Sequence, residues 1–289
     1  MKKCFLGLIV IMVTVSMLVS FVGCTKETPA EYFDYEKVGN HIIITGLVKK
    51  DLEKIVIPER IEGSFVTAIA EDAFRECTNL ISVTIPDSVT KIDEDAFEDC
   101  TGLVEVIIPD SVKEIGESAF SGCTSLSTVT IPDSVKEIAA GAFLDCTSLK
   151  NVTIPESVTE IGPCAFEGCT SLENITIPDC VTEIGFFAFS GCTSLTSVTI
   201  PDSVKDIFGY VFEGCTSLKN ITIPDSVESI VWGAFKDCTG LVEVIIPDSV
   251  KEIYSCAFSG CTSLKNVTIP DSVEYIDPTA FERTGVKLP

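Results

Sequence analysis

Cysteine is the residue type in this chain with the widest possible chemistry, since thiols form disulfides, bind metals and act as nucleophiles. The sequence holds 14 cysteines, and nine of them recur every 23 residues without insertion. These nine are Cys77, Cys100, Cys123, Cys146, Cys169, Cys192, Cys215, Cys238 and Cys261. One column of equally spaced thiols supplies one ligand per repeat, whereas a metal site needs roughly two to four ligands at one point. We therefore predict no metal site and no cofactor.

The same column is a poor candidate for disulfides. Each thiol follows a phenylalanine by three residues, as Cys123 follows Phe120, on what reads as a short helical turn. Helices pack roughly 8–10 Å apart, whereas a disulfide needs Cα atoms within about 7 Å of each other. We expect buried thiols that act as small apolar side chains. Outside the column, Cys164, Cys180 and Cys256 lie too many repeats apart to suggest pairs.

Catalysis finds little support in the remaining residues. The single histidine, His41, is not paired with a serine or cysteine in any recognisable motif. The sequence contains no glycine-rich phosphate loop and no histidine pair for a metal. We therefore predict that the chain is not an enzyme.

A row of carboxylates with the same spacing allows two interpretations. One carboxylate follows the proline of each repeat, and the row consists of Asp87, Asp110, Asp133, Glu156, Asp179, Asp202, Asp225, Asp248 and Asp271. Stacked about 5 Å apart, these groups repel one another, and a ladder of calcium ions would relieve the repulsion. A proline turn also favours aspartate at this position. We prefer the turn interpretation, because solvent and salt screen exposed charges.

The column cysteines and the row of carboxylates belong to a 23-residue repeat that determines the architecture. In one repeat a short strand with inward Leu103, Val106 and Ile108 precedes a proline turn, and Ala119 and Phe120 close the coil. The repeated phenylalanines are Phe74, Phe97, Phe120, Phe143, Phe166, Phe189, Phe212, Phe235, Phe258 and Phe281. Such a period is typical of a solenoid, in which each unit buries its apolar face only against its neighbours. Function then becomes a question about the surface positions that the repeat leaves variable.

The N-terminal residues do not belong to the repeat. A basic start, an apolar run and a small-residue end over residues 1–23 have the layout of a signal peptide, with a signal anchor as the alternative. The segment Phe21-Val22-Gly23-Cys24 resembles a bacterial lipobox, although Phe21 replaces the usual leucine, and implies lipidation of Cys24. The remaining divisions are a lipid-anchored linker at 24–34, an N-terminal cap with an irregular first coil at 35–63, and the solenoid at 64–289.

The charge of the chain restricts its partners. A formal net charge of −23 argues against nucleic acid, because phosphate contacts need an excess of Lys and Arg. Strong negative charge keeps a surface protein soluble and favours basic patches or cations as partners.

The repeat phrase Leu-x-x-Val-Thr-Ile-Pro-x-Ser-Val-x-x-Ile-x-x-x-Ala-Phe-x-x-Cys closely resembles the BspA-like class of bacterial leucine-rich repeats over about residues 35–284. The resemblance implies an α/β repeat solenoid, a horseshoe of about ten 23-residue coils. A parallel strand sheet is expected on one face and short helical turns on the other. It also implies surface display, adhesion and protein binding, often to host matrix proteins or other microbes, without naming a ligand.

Four successive late repeats contain aromatic residues at variable positions that hold Asp93-Glu94-Asp95 or Gly116-Glu117-Ser118 in early repeats. We predict an exposed aromatic patch that binds a ligand, with filling of gaps in the core as the alternative. The patch consists of Phe186, Phe187, Phe208, Tyr210, Trp232 and Tyr254, and Tyr275 follows close by.

The outward face of the strands is a weaker candidate for binding. Its hydroxyl and amide groups suit hydrogen bonds to an extended peptide or a glycan, although threonine also simply suits an exposed strand. The candidate residues are Lys150, Asn151, Asn174, Lys219, Asn220, Lys265 and Asn266.

Together these patterns favour a cell-surface lipoprotein that binds a protein or surface-glycan ligand non-covalently. A lipid anchor would hold it to the outside of a bacterial membrane. The alternative is a structural or spacer component of the cell envelope. Residues 99–115 recur unchanged as residues 237–253, which suggests recent duplication and an easily varied number of coils. A binding protein predicts a localised departure from the repeat, whereas a spacer predicts uniform variable positions.

Overall fold

The chain forms a solenoid in which short β-strands alternate with longer turn segments. The computed structural model describes residues 26–286, so the predicted signal peptide and Cys24 lie outside the described residues. One 3₁₀ helix, Ala30–Tyr32, precedes the strands. The strands are β1 (Phe33–Val38), β2 (His41–Leu47), β3 (Lys54–Val56), β4 (Arg60–Ile61), β5 (Ser64–Ile69), β6 (Ser82–Thr84), β7 (Lys91–Ile92), β8 (Glu105–Ile107), β9 (Glu114–Ile115), β10 (Thr128–Thr130), β11 (Glu137–Ile138), β12 (Asn151–Thr153), β13 (Glu160–Ile161), β14 (Asn174–Thr176), β15 (Glu183–Ile184), β16 (Ser197–Thr199), β17 (Asp206–Ile207), β18 (Asn220–Thr222), β19 (Ser229–Ile230), β20 (Glu243–Ile245), β21 (Glu252–Ile253), β22 (Asn266–Thr268) and β23 (Tyr275–Ile276).

One face of the solenoid is a ten-stranded parallel sheet in the order β3-β6-β8-β10-β12-β14-β16-β18-β20-β22. Equivalent residues of successive coils pair in register, as Val83 pairs with Val106. Along each strand the side chains alternate between core and solvent, so that buried Val129 lies between exposed Thr128 and Thr130. The predicted repeat solenoid with a parallel sheet is confirmed.

The strands that follow the proline turns form a second ladder, which is divided among three smaller sheets. The first sheet also contains the N-terminal strands β1 and β2 and has the order β1-β2-β5-β7-β9, with β4 beside β5. The second has the order β11-β13-β15, and the third has the order β17-β19-β21-β23. This second ladder is therefore interrupted twice, between β9 and β11 and between β15 and β17.

One hairpin covers the N-terminal end of the solenoid, and a second hairpin lies within the first coil. β1 and β2 pair antiparallel, and β2 then pairs in parallel with β5 of the first coil. The extra residues of the irregular first coil form the second hairpin, in which β4 and β5 pair antiparallel around Glu62 and Gly63. Both turn residues have positive φ angles, as two-residue hairpins favour. Because β2 pairs with β5, the β1–β2 hairpin protects a strand edge of the first coil that would otherwise be open to pairing with another chain.

A column of stacked phenylalanines fills the core. The ten repeated phenylalanines, from Phe74 to Phe281, are all buried. Consecutive ring centroids lie 4.9 to 5.6 Å apart with planes 3° to 10° from parallel. Burial of each ring contributes about 1.5–3 kcal/mol. We number the coils 1 to 10 by this column, so that coil 1 contains Phe74 and coil 10 contains Phe281.

The segment around each core phenylalanine is a series of tight turns, and the prediction of short helical turns is wrong. An α-helix needs each N–H to donate to the carbonyl four residues earlier. Here the N–H of Phe120 donates to the carbonyl of Ala142 in the next coil, whereas the N–H of Ser121 donates within the coil to Ser118. Ser118 has a positive φ of 51°, which also interrupts a helix. Alternate N–H groups therefore join neighbouring coils.

All nine column cysteines are buried and free. The distance between coils, however, is not the 8–10 Å of packed helices on which the prediction of unpaired thiols is based. The adjacent phenylalanine rings repeat at about 5 Å, for example 5.2 Å between Phe97 and Phe120. Eight of the thiols donate a hydrogen bond to the carbonyl of the phenylalanine 26 residues earlier, as Cys123 Sγ does to Phe97 O at 3.2 Å. Burial raises the pKa of Cys100 to about 12, and the pKa values of Cys146 and Cys215 to the same value.

Within residues 26–286, no helix has the length and apolar character needed to cross a membrane.

Candidate functional site

The positions that vary most between coils lie two to four residues before each core phenylalanine. In coil 3 they hold Gly116-Glu117-Ser118, and in coil 4 they hold Ala139-Ala140-Gly141. Coils 6 to 9 hold aromatic side chains there instead. We call these residues, with Tyr275 of coil 10, the aromatic surface: Phe186, Phe187, Phe208, Tyr210, Trp232, Tyr254 and Tyr275.

Phe187 and Tyr210 form the most regular contact of the aromatic surface. Their ring centroids are 4.9 Å apart, and their planes are 2° from parallel. Both residues have left-handed φ angles, 59° and 61°, a conformation that is strained for bulky side chains. Ser118 and Gly141 have the same conformation at the equivalent positions. The fold therefore imposes this backbone on early and late coils, but only coils 6 and 7 place an aromatic side chain on it.

The other rings form two further contact groups. Phe186 contacts Phe208 at 5.3 Å with planes 54° apart. Tyr254 contacts Trp232 at 6.3 Å and Tyr275 at 6.2 Å. Phe186 and Trp232 are 40% and 48% exposed. The predicted patch residues thus come together as three neighbouring ring groups, and these two side chains do not fill the core.

Two glycines let the rings lie against the backbone of adjacent coils. Gly233 has a φ of 61°, and a β-carbon there would collide with the ring of Tyr210. A β-carbon at Gly209 would lie 3.3 Å from Cδ1 of Phe186 and 3.2 Å from the carbonyl oxygen of Trp232. The glycines therefore allow rings from coils 6 and 7 to pack against coils 7 and 8.

Carboxylates accompany the rings. Asp206 and Glu252 lie two residues before Phe208 and Tyr254, at the first positions of strands β17 and β21. The hydroxyl of Tyr254 donates a hydrogen bond to Glu252, and the hydroxyl of Tyr275 donates one to Asp277 at 3.2 Å. These hydrogen bonds raise the pKa of both tyrosines, and the charge of Asp206 contributes to the raised pKa of Tyr254. The site is therefore both aromatic and negatively charged.

The candidate residues of the strand face are all exposed: Lys150, Asn151, Asn174, Lys219, Asn220, Lys265 and Asn266. Asn151 and Asn174 pair in adjacent strands, and Thr196 Oγ1 donates to Asn174 Oδ1 at 3.3 Å. In the later coils Glu243 pairs with Asn220 on one side and with Asn266 on the other. The strand face therefore offers scattered hydrogen-bonding groups without a continuous amide ladder.

The acidic row lies on the proline turns, and all nine of its carboxylates are exposed. Beside it, serine hydroxyls connect the coils, as Ser111 Oγ donates to Val89 O at 2.6 Å. In the part of the chain that the structure describes, no three His, Cys, Asp or Glu side chains lie together in an arrangement that could hold a metal ion.

The predicted sites did not include two surface features. Ile107 and Ile245 are 54% and 61% exposed on the strand face, at positions where other coils have threonine. The alternation of side chains along the strand predicts an outward Ile107, and the duplicated segment predicts the same for Ile245. The other feature is a cleft of about 840 Å³ at the first interruption of the second ladder. It is lined by charged residues that include Lys113, Glu114 and Glu137, and periodicity alone gives no sign of an interruption.

The repeats match one family profile. The BspA type Leucine rich repeat region matches residues 48–173 and 159–287, with six copies. No curated protein matches the sequence.

Solved structures of bacterial repeat proteins are similar to most of the chain. A leucine rich repeat protein of T. pallidum is 33% identical, with a TM-score of 0.52 over 75% of this chain and 91% of its own. A leucine rich cell surface protein from Faecalibacterium prausnitzii is 28% identical, with a TM-score of 0.51 over 89% of this chain and 92% of its own. A leucine-rich repeat protein from Eubacterium ventriosum, 23% identical, shares the fold with a TM-score of 0.54 over 86% of this chain and 92% of its own.

These similarities agree with the geometry of the coils. BspA-type repeat proteins are typically found at the cell surface, and leucine-rich repeats generally serve as non-catalytic binding scaffolds. No enzyme family is indicated. The family profile covers most of the chain, the repeat has the expected 23-residue period, and the fold is the parallel solenoid of the relatives, so this chain belongs to the BspA-type leucine-rich repeat proteins.

Proposed function

We propose that this protein is a cell-surface lipoprotein that binds a macromolecular ligand non-covalently through the aromatic surface, in the manner of an adhesin. The observation that supports this function is the localised departure of coils 6 to 9 from the repeat. Phe186 and Trp232 replace the small or charged residues of early coils and remain largely exposed. Large exposed aromatic side chains are the usual anchors of protein interfaces.

The choice of side chain at the left-handed position supports a binding role. In coils 3 and 4 the left-handed position is occupied by Ser118 and Gly141. Phe187 and Tyr210 occupy the same conformation at a cost of roughly 1–2 kcal/mol each. The fold does not require aromatic side chains there. Asp95, Cys164 and Cys256 have the same left-handed φ at this position, so coils 6 and 7 differ from the others in the aromatic side chain and not in the backbone.

The ligand class is a protein or a surface glycan. The strand face, with its exposed Asn151 and Asn174, is a second and weaker contact region that offers hydrogen bonds. The lipid anchor is supported by the sequence around Cys24 and by the surface location typical of the family. Incorporation of radiolabelled palmitate that is abolished by Cys24→Ala would support the anchor, and unchanged incorporation would contradict it.

A structural or spacer role in the envelope is the second candidate. The unchanged recurrence of residues 99–115 at 237–253 favours it, because duplicated coils alter length more readily than they alter a site. A spacer would use contacts distributed along all coils, so substitutions confined to coils 6 and 8 would leave its interactions intact.

The test is a pull-down with the full chain, purified in mild detergent, from purified matrix proteins and bacterial surface extracts. The Phe186→Ala, Trp232→Ser variant introduces the residue types that Ala140 and Ser255 supply at the equivalent positions of other coils. The matched control is Ile107→Thr with Ile245→Thr, which removes two exposed apolar groups from the strand face.

A specific partner that the aromatic variant loses and the control retains would support the proposed function. A partner retained by the aromatic variant would contradict binding through the aromatic surface, and its loss in the control would assign binding to the strand face. Absence of any specific partner would favour the spacer. Circular dichroism of each variant verifies that the solenoid remains folded.

A further inference from the structure

We propose that the aromatic surface binds an extended, positively charged segment of polypeptide, with Lys or Arg side chains lying on its rings; the inference rests on the proposed function of this surface. The faces of Trp, Tyr and Phe rings are electron-rich and attract ammonium and guanidinium groups. Trp232, the single tryptophan of the chain, is the strongest ring type for such contacts.

The charges around the rings are unbalanced toward the negative. The residues immediately before strands β17, β19, β21 and β23 alternate between cationic and anionic along adjacent coils and offset one another: Lys205, Glu228, Lys251 and Glu274. Apart from the Lys236–Glu213 ion pair beside Tyr210, the remaining charged side chains beside the rings are carboxylates: Glu183, Asp206, Glu252 and Asp277. Neither Lys205 nor Lys251 forms an ion pair with any of these carboxylates. The aromatic surface therefore has an excess of negative charge, and none of these four carboxylates forms an ion pair within the residues that the structure describes.

The chain itself places one cation on this surface. Lys236 Nζ lies 5.8 Å from the ring centroid of Tyr210 and forms an ion pair with Glu213 at 2.6 Å. A ring face and a carboxylate thus hold one ammonium group together. Tyr254 and Tyr275 likewise lie beside carboxylates, because their hydroxyls donate to Glu252 and Asp277, and within the described residues no Lys or Arg lies over either ring.

The spacing of the rings suits an extended chain. Phe186 and Trp232 occupy equivalent positions two coils apart, as do Phe208 and Tyr254. Two coils span about 10 Å at the strand spacing of a sheet, and three residues of an extended polypeptide also span about 10 Å. A segment with a cationic residue at every third position would therefore meet successive rings and carboxylates.

The test measures binding of a fluorescein-labelled peptide, (Arg-Ser-Ser)5, to the full chain by fluorescence anisotropy. The peptide (Glu-Ser-Ser)5 reverses its charge, and cellohexaose represents a neutral glycan. One variant removes rings (Phe186→Ala, Trp232→Ser), and another removes charge beside them (Asp206→Asn, Glu252→Gln). Its matched control, Glu137→Gln with Glu160→Gln, removes the same charge from paired carboxylates of coils 4 and 5.

We expect the arginine peptide to bind and to shift the emission of Trp232. Its affinity should fall about tenfold in the ring variant and in the Asp206→Asn, Glu252→Gln variant, as the loss of one cation–π contact or of charged partners would produce. The change in the Glu137→Gln, Glu160→Gln control should be within about twofold, because those charges lie outside the aromatic surface.

Equal losses in the charge variant and its control would overturn the proposal, because general attraction to the net charge would then explain binding. Binding of cellohexaose in place of the arginine peptide would assign the rings to a glycan and also overturn it. A partner captured through the aromatic surface in the pull-down, together with no binding of the arginine peptide, would overturn the cationic ligand and leave the binding function standing.

Discussion

The ring of Phe187 stacks on the ring of Tyr210 at 4.9 Å with planes 2° from parallel, and both residues have positive φ angles. Two residues later, Phe189 belongs to the core column, where its ring is fully buried between Phe166 and Phe212. Neighbouring phenylalanines of one turn thus have opposite roles. One is strained and lies at the surface, and the other is relaxed and lies in the core.

Replacing the surface ring should have little effect on stability. Phe187→Gly removes a stacking contact that contributes about 0.5–1.5 kcal/mol, but it also relieves left-handed strain of about 1–2 kcal/mol. We expect the free energy of unfolding to change by less than about 1 kcal/mol. Phe189→Ala should lower it by about 3–5 kcal/mol. Urea denaturation followed by circular dichroism measures both changes. If Phe187→Gly lowered the free energy of unfolding by about 3–5 kcal/mol, as a core substitution does, the surface assignment of Phe187 would be contradicted.

The core could be predicted from the sequence, because a 23-residue period fixes which residues stack. Spacing alone predicts that Phe120 and Cys123 lie in the interior, and both side chains are fully buried. The helical turn could not be excluded in this way, because Ala119, Phe120 and Cys123 also fit helical spacing. A helix is excluded by the hydrogen bond from the Phe120 N–H to the carbonyl of Ala142 in the next coil. No local sequence pattern encodes this bond.

The candidate site could be predicted only as a set of residues. The sequence places Phe186 and Phe187 side by side, but it does not give the direction of their side chains. In the structure Phe186 contacts Phe208 and Phe187 contacts Tyr210. These partners depend on the left-handed backbone of Phe187 and on the space that Gly209 and Gly233 leave.

Stability should fall steeply in alkaline solution. An unperturbed thiol loses its proton near pH 9, whereas burial raises the pKa of Cys100, Cys146 and Cys215 to about 12. The unfolded chain therefore releases these protons first, and stability that is complete below pH 9 is lost as the pH rises toward 12. At pH 10 each of the three thiols should lower the free energy of unfolding by about 1.4 kcal/mol.

Thermal unfolding between pH 7 and pH 11 measures this dependence. The Cys146→Ala, Cys215→Ala variant is less stable at neutral pH, since it leaves cavities, but its stability should decrease less between pH 8 and pH 10. An equal decrease in the variant and the parent would show that the buried thiols do not cause the alkaline sensitivity.

The thiols outside the column should react before those within it. Cys180 is half-buried near the surface, and its Sγ donates to Val158 O at 3.1 Å in the place where Ser157 Oγ donates to Val135 O at 2.6 Å. Iodoacetamide should alkylate Cys180 in the folded protein and the column cysteines only after unfolding. Cys164 should react more slowly than Cys180, because burial and its hydrogen bond to Glu167 raise its pKa to about 12.

Peptide mapping by mass spectrometry gives the order of modification. Cys180→Ser introduces the residue of the repeat, so it should remove the early modification and change the free energy of unfolding by less than about 0.5 kcal/mol. Alkylation of column cysteines at the rate of Cys180 would contradict their burial.

Collisional quenching of Trp232 tests the negative charge of the aromatic surface. The side chain is 48% exposed, so acrylamide should quench its emission. Caesium should quench it more than iodide does, relative to the two ions acting on N-acetyltryptophanamide, because Asp206 and Glu252 attract cations and repel anions. The difference should shrink in the Asp206→Asn, Glu252→Gln variant and at high salt, where screening shortens the range of these charges to about 3 Å at 1 M. Stronger quenching by iodide would mean that Lys205 and Lys251 dominate the local potential, and a positively charged ligand would then be repelled from this surface.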